Sequence, residues 1–587
     1  MCDGHKVGFE RNPTSLKHKD TFTNLVMSSV VFLASNITNL FNLVLLAPKA
    51  YYNLSKYPSI ALHLEASLIS HATTAVHIRM KEVKQDLADE IQLGHLGHAQ
   101  SFKRNFSRWT MLGLAFAILN SWTALAASLS LALPSGGPIA VIWGLVTAGV
   151  CNLSLAASLA EFLSAYPTAG GQYHWVAMIA PSALKRGLAW TTGWISVSGW
   201  VALVAVNSSL SSSLVVNIIS LLKTDYEPQR WHQFLMYLGI TFIAFSVNAF
   251  LTPILPRVNQ FALVWSIVGF LTISITILAC AAPDFATPQY VFATFINTTG
   301  WPDGIAWLLG LLQGGLGLTG FDAVAHMIEE IPNAAVEGPK IMIDCQCIGI
   351  FTGFLFLIVL LFASGGVENA SDVVGSSAGP LLEIFYLATN NKAGAVCLLV
   401  FPLLCLIFAG TAALTTSSRM VFAFARDGGL PASPLWWKVH PSTQVPMNAL
   451  YLNVAIVIVF GCIYLGSTVA FNAIIASAVT ALGVSYGIPV ALNLVYRRQK
   501  LPERQFALPA WLGWTANIIG IVYTIITTIL FLFPPTSVVD GSTMNYCIVA
   551  FAIIILISAF QWIVDGRKNF VGPRFTIDGH DIREMEG

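Results

Sequence analysis

Apolar residues run through this chain in long unbroken blocks. They do not show the period-two alternation of a β-barrel. From Trp109 to Ala160 no residue is charged, and Pro134-Ser135-Gly136-Gly137-Pro138 divides that stretch in two. A helix crossing the hydrocarbon core of a bilayer needs about 20 mostly apolar residues. With boundaries taken at charged gaps, Pro and Gly, the pattern predicts twelve main spans. They are 109–133, 139–165, 188–218, 231–252, 259–281, 304–328, 342–365, 393–422, 447–466, 470–496, 512–533 and 544–564. The fold class read from this is an all-α polytopic membrane protein of about 12 transmembrane helices.

Composition removes the alternatives. Of 587 residues 55% are hydrophobic and 10% charged, where soluble domains carry about 25% charged residues. Thirty Lys+Arg against 29 Asp+Glu leave +1, which is no field to draw a nucleic acid. The nine cysteines form no CxxC pair, and Cys345-x-Cys347 is too close for a usual zinc clamp, so they read as packing residues and no metal or cofactor is expected. Neither a clustered catalytic set such as HExxH nor a GxxxxGK[ST] loop is present, so an enzyme and an ATP-driven pump are unsupported.

Orientation follows from the basic residues between spans. Lys103, Arg104 and Arg108 precede the first span, Lys185 and Arg186 follow the second, and Arg257, Lys340, Arg426/Lys438, Arg497/Arg498/Lys500/Arg504 and Arg567/Lys568/Arg574 occupy every second loop thereafter. The alternate loops hold only Lys223, Arg230 and Lys392. Both ends of the bundle are therefore expected in the cytoplasm, with the glycosylation triplets Asn297-Thr298-Thr299 and Asn369-Ala370-Ser371 outside. Residues 1–79 stand apart. Their moderately apolar run, Thr23 to Ala47, is interrupted by Asn24, Asn36, Asn39 and Asn42. It reads as a thirteenth span, a signal anchor, or dispensable sequence upstream of a start at Met80. The expected division is 1–79 as an extra segment, 80–108 as a cytoplasmic lead-in, 109–566 as the twelve-helix domain and 567–587 as a cytoplasmic tail.

Two spans carry marks of a break. The first places Asn120, Ser121, Trp122, Thr123 and Ala124 at mid-depth; the sixth places Gly314, Gly315, Gly317 and Gly320 within seven positions, among Leu318, Thr319 and Phe321. Each internal Gly costs a helix about 1 kcal/mol against Ala, so the cluster favours unwinding, although small residues also serve close helix packing. A half-helix N-terminus binds carboxylates, and freed carbonyls hold ammonium or cations. A zwitterionic amino acid or a small alkylammonium compound matches that pattern. Trp122 and Phe321 offer aromatic faces to a cation, with ordinary packing as the other reading.

Intramembrane carboxylates are costly and usually functional. Glu161 is the first charge after the neutral stretch, and Asp322 follows the Gly-rich segment. Asp322 reads as a proton sensor, a partner for a substrate amine, or a dipole cap. Glu329 and Glu330 fall at the cytoplasmic mouth as solvated or gating groups. Arg419 is placed to pair with one of the acids, and His326 reads as a packing residue or a proton relay.

Several motifs together carry a family resemblance. Ser164-Ala165-Tyr166-Pro167-Thr168-Ala169-Gly170-Gly171-Gln172-Tyr173-His174-Trp175, preceded by Gly136-Gly137-Pro138 and Trp143-Gly144, resembles the segment after helix two in the amino acid/polyamine/organocation (APC) superfamily. Ser418-Arg419-Met420 through Arg426-Asp427-Gly428-Gly429-Leu430-Pro431 resembles its helix-eight exit, and Gly320-Phe321-Asp322 with Glu329-Glu330-Ile331-Pro332-Asn333-Ala334 its helix-six segment. The wording is most similar to the fungal choline, GABA and amino-acid permeases, over roughly residues 88–570. The resemblance implies a LeuT-like five-plus-five inverted repeat with two appended C-terminal helices. It implies a secondary active permease for choline, GABA or other small amino acids, proton-coupled and working by alternating access. Substrate contacts would come from Asn120, Ser121, Trp122, Thr123, Ala124, Gly315, Leu318, Thr319, Gly320 and Phe321, and coupling or gating from Glu161, Asp322, Glu329, Glu330 and Arg419. Trp122-Thr123-Ala124 is bulkier than the Gly-Ser-Gly-like stretch of many relatives. The expected partners are the small-molecule substrate, protons and the lipid bilayer, in the plasma membrane. A nutrient receptor that keeps the binding fold without transport is the alternative.

Overall fold

The computed structural model describes Met80, residues 84–570 except 97, 224, 367, 368, 442, 542 and 543, and positions 572, 576, 577, 580 and 581. The expectations for 1–79 lie outside the described residues. Met1–Lys84 and Gln85–Gly587 are two separate units, and the spans found among the described residues lie in the second.

Eleven helices among the described residues are long and apolar enough to cross a bilayer: Arg108–Ala127, Gly137–Ala165, Ser182–Leu222, Arg230–Phe250, Thr252–Ala281, Ala334–Ala363, Lys392–Arg426, Met447–Gly466, Thr468–Val495, Ala510–Leu530 and Cys547–Asn569. The sixth crossing is the exception. Its helix Asp303–Gly317 has 15 residues and is followed, after an irregular stretch, by Ala323–His326 and a 3-10 turn at Ile328–Glu330. The expected twelve spans are these eleven and the interrupted sixth. One boundary moves for a clear reason. The seventh helix starts at Ala334 rather than 342, behind Asn333 in the left-handed region (φ 56°). The charges that made 334–344 look like a loop are paired along and beside the helix, Lys340 with Glu337 at 3.2 Å and Arg108 with Asp344 at 2.9 Å.

Packing between spans relies on small residues, because lipid is as apolar as a protein core and gives no hydrophobic drive for association. A Cβ on Gly193 would run into the Phe424 ring, and one on Gly353 would lie 2.5 Å from Leu125. These contacts seat the third span against the eighth and the seventh against the first. The second span packs on the seventh and the third on the eighth and tenth. Large apolar residues such as Phe242, Ile275, Phe351 and Phe560 stay exposed around the bundle, where acyl chains are their solvent.

The loops separate onto two faces. One carries residues 98–107, the short helix Gln172–Ile179 and the connections after the sixth, eighth and tenth spans. The opposite face carries the turn at 133–136, the segment 282–302, the helix Pro380–Thr389 and residues 531–546. The turn and the segment are joined there by a bridge between Ser135 and Asn297.

Candidate functional site

The first span is interrupted at one residue. Asn120 has φ 40° and ψ 39°, closing the helix Arg108–Leu119 and opening Ser121–Ala127. Asn tolerates the left-handed region better than most side chains, so the polar residue at mid-depth is also the hinge. Asn120 Nδ2, Ser121 Oγ and Thr123 Oγ1 are buried with no hydrogen-bond partner among the described residues. Orphaned polar atoms at that depth are costly without a ligand or water. Ser121 faces the seventh span, since a Cβ on Gly349 would collide with its Oγ. Trp122 is turned outward: its Nε1–H donates to Ser266 Oγ at 2.8 Å and its ring packs edge-on against Phe356 at 4.8 Å. Ala124 is half-buried two positions further on.

The sixth span opens later than its glycines suggest. Gly314, Gly315 and Gly317 lie in the last turns of Asp303–Gly317. Gly314 and Gly317 give room to neighbours: a Cβ would meet Ala148 at 2.7 Å and Leu125 at 2.5 Å, respectively. The irregular stretch is Leu318–Asp322, and Gly320 is its conformational requirement, with φ +104° and the Ile118 side chain only 3.1 Å from where a Cβ would stand. Gln346 Nε2 donates to the freed Leu318 carbonyl at 3.3 Å, and Gln313 Nε2 to the Leu125 carbonyl at 2.7 Å. Thr319 returns its hydroxyl to the Gly315 carbonyl at 2.7 Å. Phe321 is fully buried, its ring 4.9 Å from Tyr486.

Asp322 is the hub. Its carboxylate, 0% exposed, accepts from Tyr486 Oη–H (2.5 Å), Gln172 Nε2 (2.8 Å), Trp200 Nε1 (3.2 Å) and faces His326 Nε2 at 3.1 Å. Four elements thus converge on one carboxylate. His326 Nδ1 lies 3.0 Å from the Ala169 carbonyl. A carbonyl only accepts, so Nδ1 carries a proton, and one further proton is then shared between Nε2 and Asp322. The signature Ala169-Gly170-Gly171-Gln172 has its explanation here. Gln172 reaches Asp322, Ala169 reaches His326, and Gly171 (φ +55°) leaves room for the imidazole, which a Cβ would approach to 2.8 Å.

Toward the first-named loop face stand three buried acids held in four ion pairs. Glu329 holds Arg426 at 2.9 Å and accepts from the Ala169 N–H at 3.1 Å; Glu330 holds Arg419 at 2.9 Å. Glu161, at the end of the second span, is clamped by Arg498 at 2.6 Å, by Arg504, and by the Leu508 N–H at 3.0 Å. The lead-in seals the same face, Gln100 donating to the Glu329 carbonyl at 2.8 Å and Phe106 N–H to that of Glu330 at 3.2 Å. Nearby, burial first and then the Arg426 charge push His98 well below the ordinary imidazole range and His174 down to about 3. On the opposite face a cavity of about 610 Å³, lined by Leu309, Leu316, Val469, Asn472, Val479 and Phe531, opens between the sixth, tenth and eleventh spans. A smaller one of about 20 Å³ continues past Val479 and Phe531 to Thr319 and Tyr486, one hydrogen bond from Asp322.

Sequence reasoning missed Gln172, Trp200 and Tyr486 as partners of Asp322, and Arg426, Arg498 and Arg504 as partners of the inner acids. Gln172 and Arg426 stood inside quoted motifs. Trp200 and Tyr486 gave no signal, because a mid-span aromatic reads as packing.

An amino acid permease family model matches residues 106–559. The chain is 33% identical over 474 residues to a choline transporter of Saccharomyces cerevisiae, covering 80% of this chain and 82% of that one. It is 31% identical over 502 residues to the amino-acid permease BAT1 of Arabidopsis thaliana (82% and 96%). A transmembrane transporter swnT of Metarhizium robertsii is 33% identical over 473 residues (80% and 92%). With a family match over most of its length and, among the described residues, eleven helices long and apolar enough to span a membrane beside an interrupted sixth, the chain belongs to the amino acid permease family and is a multi-pass membrane transporter.

Proposed function

We propose that this protein is a proton-coupled permease for choline, GABA or another small amino acid, working by alternating access from the plasma membrane with both termini in the cytoplasm. The observation that carries the reading is Asp322, placed directly after the irregular stretch of the sixth span and bonded to Tyr486, Gln172, Trp200 and His326. Substrate sits between the interruptions at Asn120 and at Leu318–Asp322. Asn120, Ser121 and Thr123 supply side-chain polar atoms, and Leu318, Thr319 and Gly320 supply backbone groups. Phe321 gives the aromatic face, while Trp122, Ala124 and Gly315 shape the walls. An ammonium group finds carbonyls and an aromatic ring there, and a carboxylate finds amides at the start of the second half-helix.

Coupling falls to Asp322 with His326, which share one mobile proton. Glu161, Glu329, Glu330 and Arg419 act as gating groups on the face that carries the lead-in, and the 610 Å³ cavity is the outward approach. The relatives are transporters, and no chemical step is assigned to the chain. The test is an uptake screen in cells lacking endogenous permeases, with labelled choline, GABA and neutral amino acids across external pH. Saturable uptake that rises as the outside is acidified supports the reading; no saturable uptake of any of them in a surface-expressed protein overturns it.

A further inference from the structure

Outside the Asp322 network, three buried side chains meet on the lead-in face. They are His98 from the lead-in, His174 from the helix Gln172–Ile179, and Asp427 directly after the eighth span. One ligand atom from each lies within 4.8 Å of the other two. His98 Nε2 has no hydrogen-bond partner among the described residues, although His98 is only 7% exposed. It faces Asp427 Oδ1 across 3.9 Å, too far for a hydrogen bond. A buried imidazole nitrogen aimed at a carboxylate oxygen it does not bond is costly in a purely structural role. Two ligand atoms at about 2.0–2.1 Å from one tetrahedral zinc ion are about 3.4 Å apart, so closing the site takes a side-chain movement of about 0.5 Å between His98 and Asp427 and up to about 1.4 Å for the widest pair of the three.

We propose that His98, His174 and Asp427 form a binding site for a divalent transition metal, Zn²⁺ by ligand preference, with water in the remaining position. Two imidazoles and one carboxylate suit zinc, whereas calcium and magnesium require oxygen ligands and copper(I) requires sulfur. Tyr173 Oη–H donates to Asp427 Oδ2 at 2.9 Å, which fixes the carboxylate and leaves Oδ1 toward His98, the support that metal carboxylates commonly have. The Arg426 guanidinium is close but donates two bonds to Glu329, at 2.9 and 3.2 Å, so its charge is balanced. Lys185, half-buried, is the other cation that acts on His174. A metal here ties the lead-in and the helix after the second span to the exit of the eighth, beside the Glu329–Arg426 pair, and holds this face shut. That consequence rests on the transporter reading; the binding does not.

The experiment titrates the full-length detergent-purified protein, stripped with a chelator, with ZnCl₂ and separately with CoCl₂. The expected result is one Zn²⁺ per chain, a visible Co²⁺ ligand-field band that Zn²⁺ bleaches, and a thermal midpoint raised by Zn²⁺. His98→Gln weakens binding by about 100-fold or more, and Tyr173→Phe by about 10-fold. In proteoliposomes Zn²⁺ on the lead-in side slows uptake by the wild type and not by His98→Gln. A wild-type protein that binds no stoichiometric Zn²⁺, or binds it as tightly after His98→Gln, overturns the site. Stoichiometric binding without slowed uptake upholds the site and overturns the shutting of the face. Because the metal is read without uptake, failure of every tested transport substrate leaves the binding result standing.

Discussion

Asp322→Asn removes one charge with almost no change in volume, and the consequences can be worked bond by bond. The amide keeps one acceptor oxygen. Turned toward Gln172 and Trp200, it preserves both of their bonds, 2.8 and 3.2 Å in the wild type. The new NH₂ then faces Tyr486, whose hydroxyl rotates from donor to acceptor. His326 has no such choice. Its Nδ1 proton is committed to the Ala169 carbonyl, so the neutral ring presents a lone pair to the amide oxygen. The loss is one charge-assisted hydrogen bond, about 1.5–3 kcal/mol. If the ring stays protonated without its counter-charge, the cost rises to the roughly 3–5 kcal/mol of a broken buried pair. The protein therefore folds with a lowered thermal midpoint, and the shared proton is gone.

Uptake assayed across external pH separates the roles. In the wild type uptake falls as external pH rises, because the proton that accompanies substrate becomes scarce. In Asp322→Asn the profile is flat. His326→Gln, which retains the carboxylate, flattens it as well. A folded Asp322→Asn protein with the wild-type pH profile refutes the coupling role and leaves Asp322 as a structural hub.

Three further outcomes follow from the geometry. Glu330→Gln strands Arg419, which is 2% exposed, and destabilises the protein by about 3–5 kcal/mol, read as a lowered thermal midpoint in detergent; an unchanged midpoint contradicts the buried pair. Gly320→Ala forces a side chain into φ +104° against Ile118 and abolishes uptake with surface expression largely kept, while Gly304→Ala, where a Cβ meets nothing within 4 Å, leaves uptake intact. Any N-linked glycan sits on Asn369 and not on Asn297, whose side-chain amide already donates to the Trp301 carbonyl at 2.7 Å and Asp303 at 2.9 Å; a mobility shift lost in Asn297→Gln and kept in Asn369→Gln reverses that assignment.

What the chain revealed by itself was set by the bilayer. Spanning helices must satisfy their backbone internally and carry apolar side chains, so twelve crossings are readable as blocks. Interruptions are readable too, because Asn120 and the glycines around 314–320 are poor helix formers at mid-depth. The exact place of the second interruption was not, since Gly314 and Gly317 pack against Ala148 and Leu125 and a packing glycine cannot be told from a hinge in sequence. Trp122 shows the same limit. Its residue type suits a cation, but its direction toward Ser266 and Phe356 is a property of the assembled bundle. Asp322 was visible as a costly charge, whereas its donors come from residues 4 to 164 positions away.

On the proposed proton-coupled reading, the same contacts link a proton at mid-membrane to the gate. Residue 169 touches both ends of the path: its carbonyl meets His326 Nδ1 at 3.0 Å and its N–H donates to Glu329 Oε1 at 3.1 Å. Glu329 in turn holds Arg426 at the exit of the eighth span. A shift of the shared proton from His326 to Asp322 removes the imidazolium charge and weakens the bond that positions the 169–172 segment. That segment cannot leave without also releasing Gln172 from Asp322 and the N–H from Glu329. A buried ion pair is tolerated only while its remaining lone pairs are satisfied, so loss of the Ala169 N–H lowers the cost of parting Glu329 from Arg426. On that reading, opening of the lead-in face is tied to the state of Asp322 through packed, directional contacts, with no long-range field required in a chain whose formal net charge is +1.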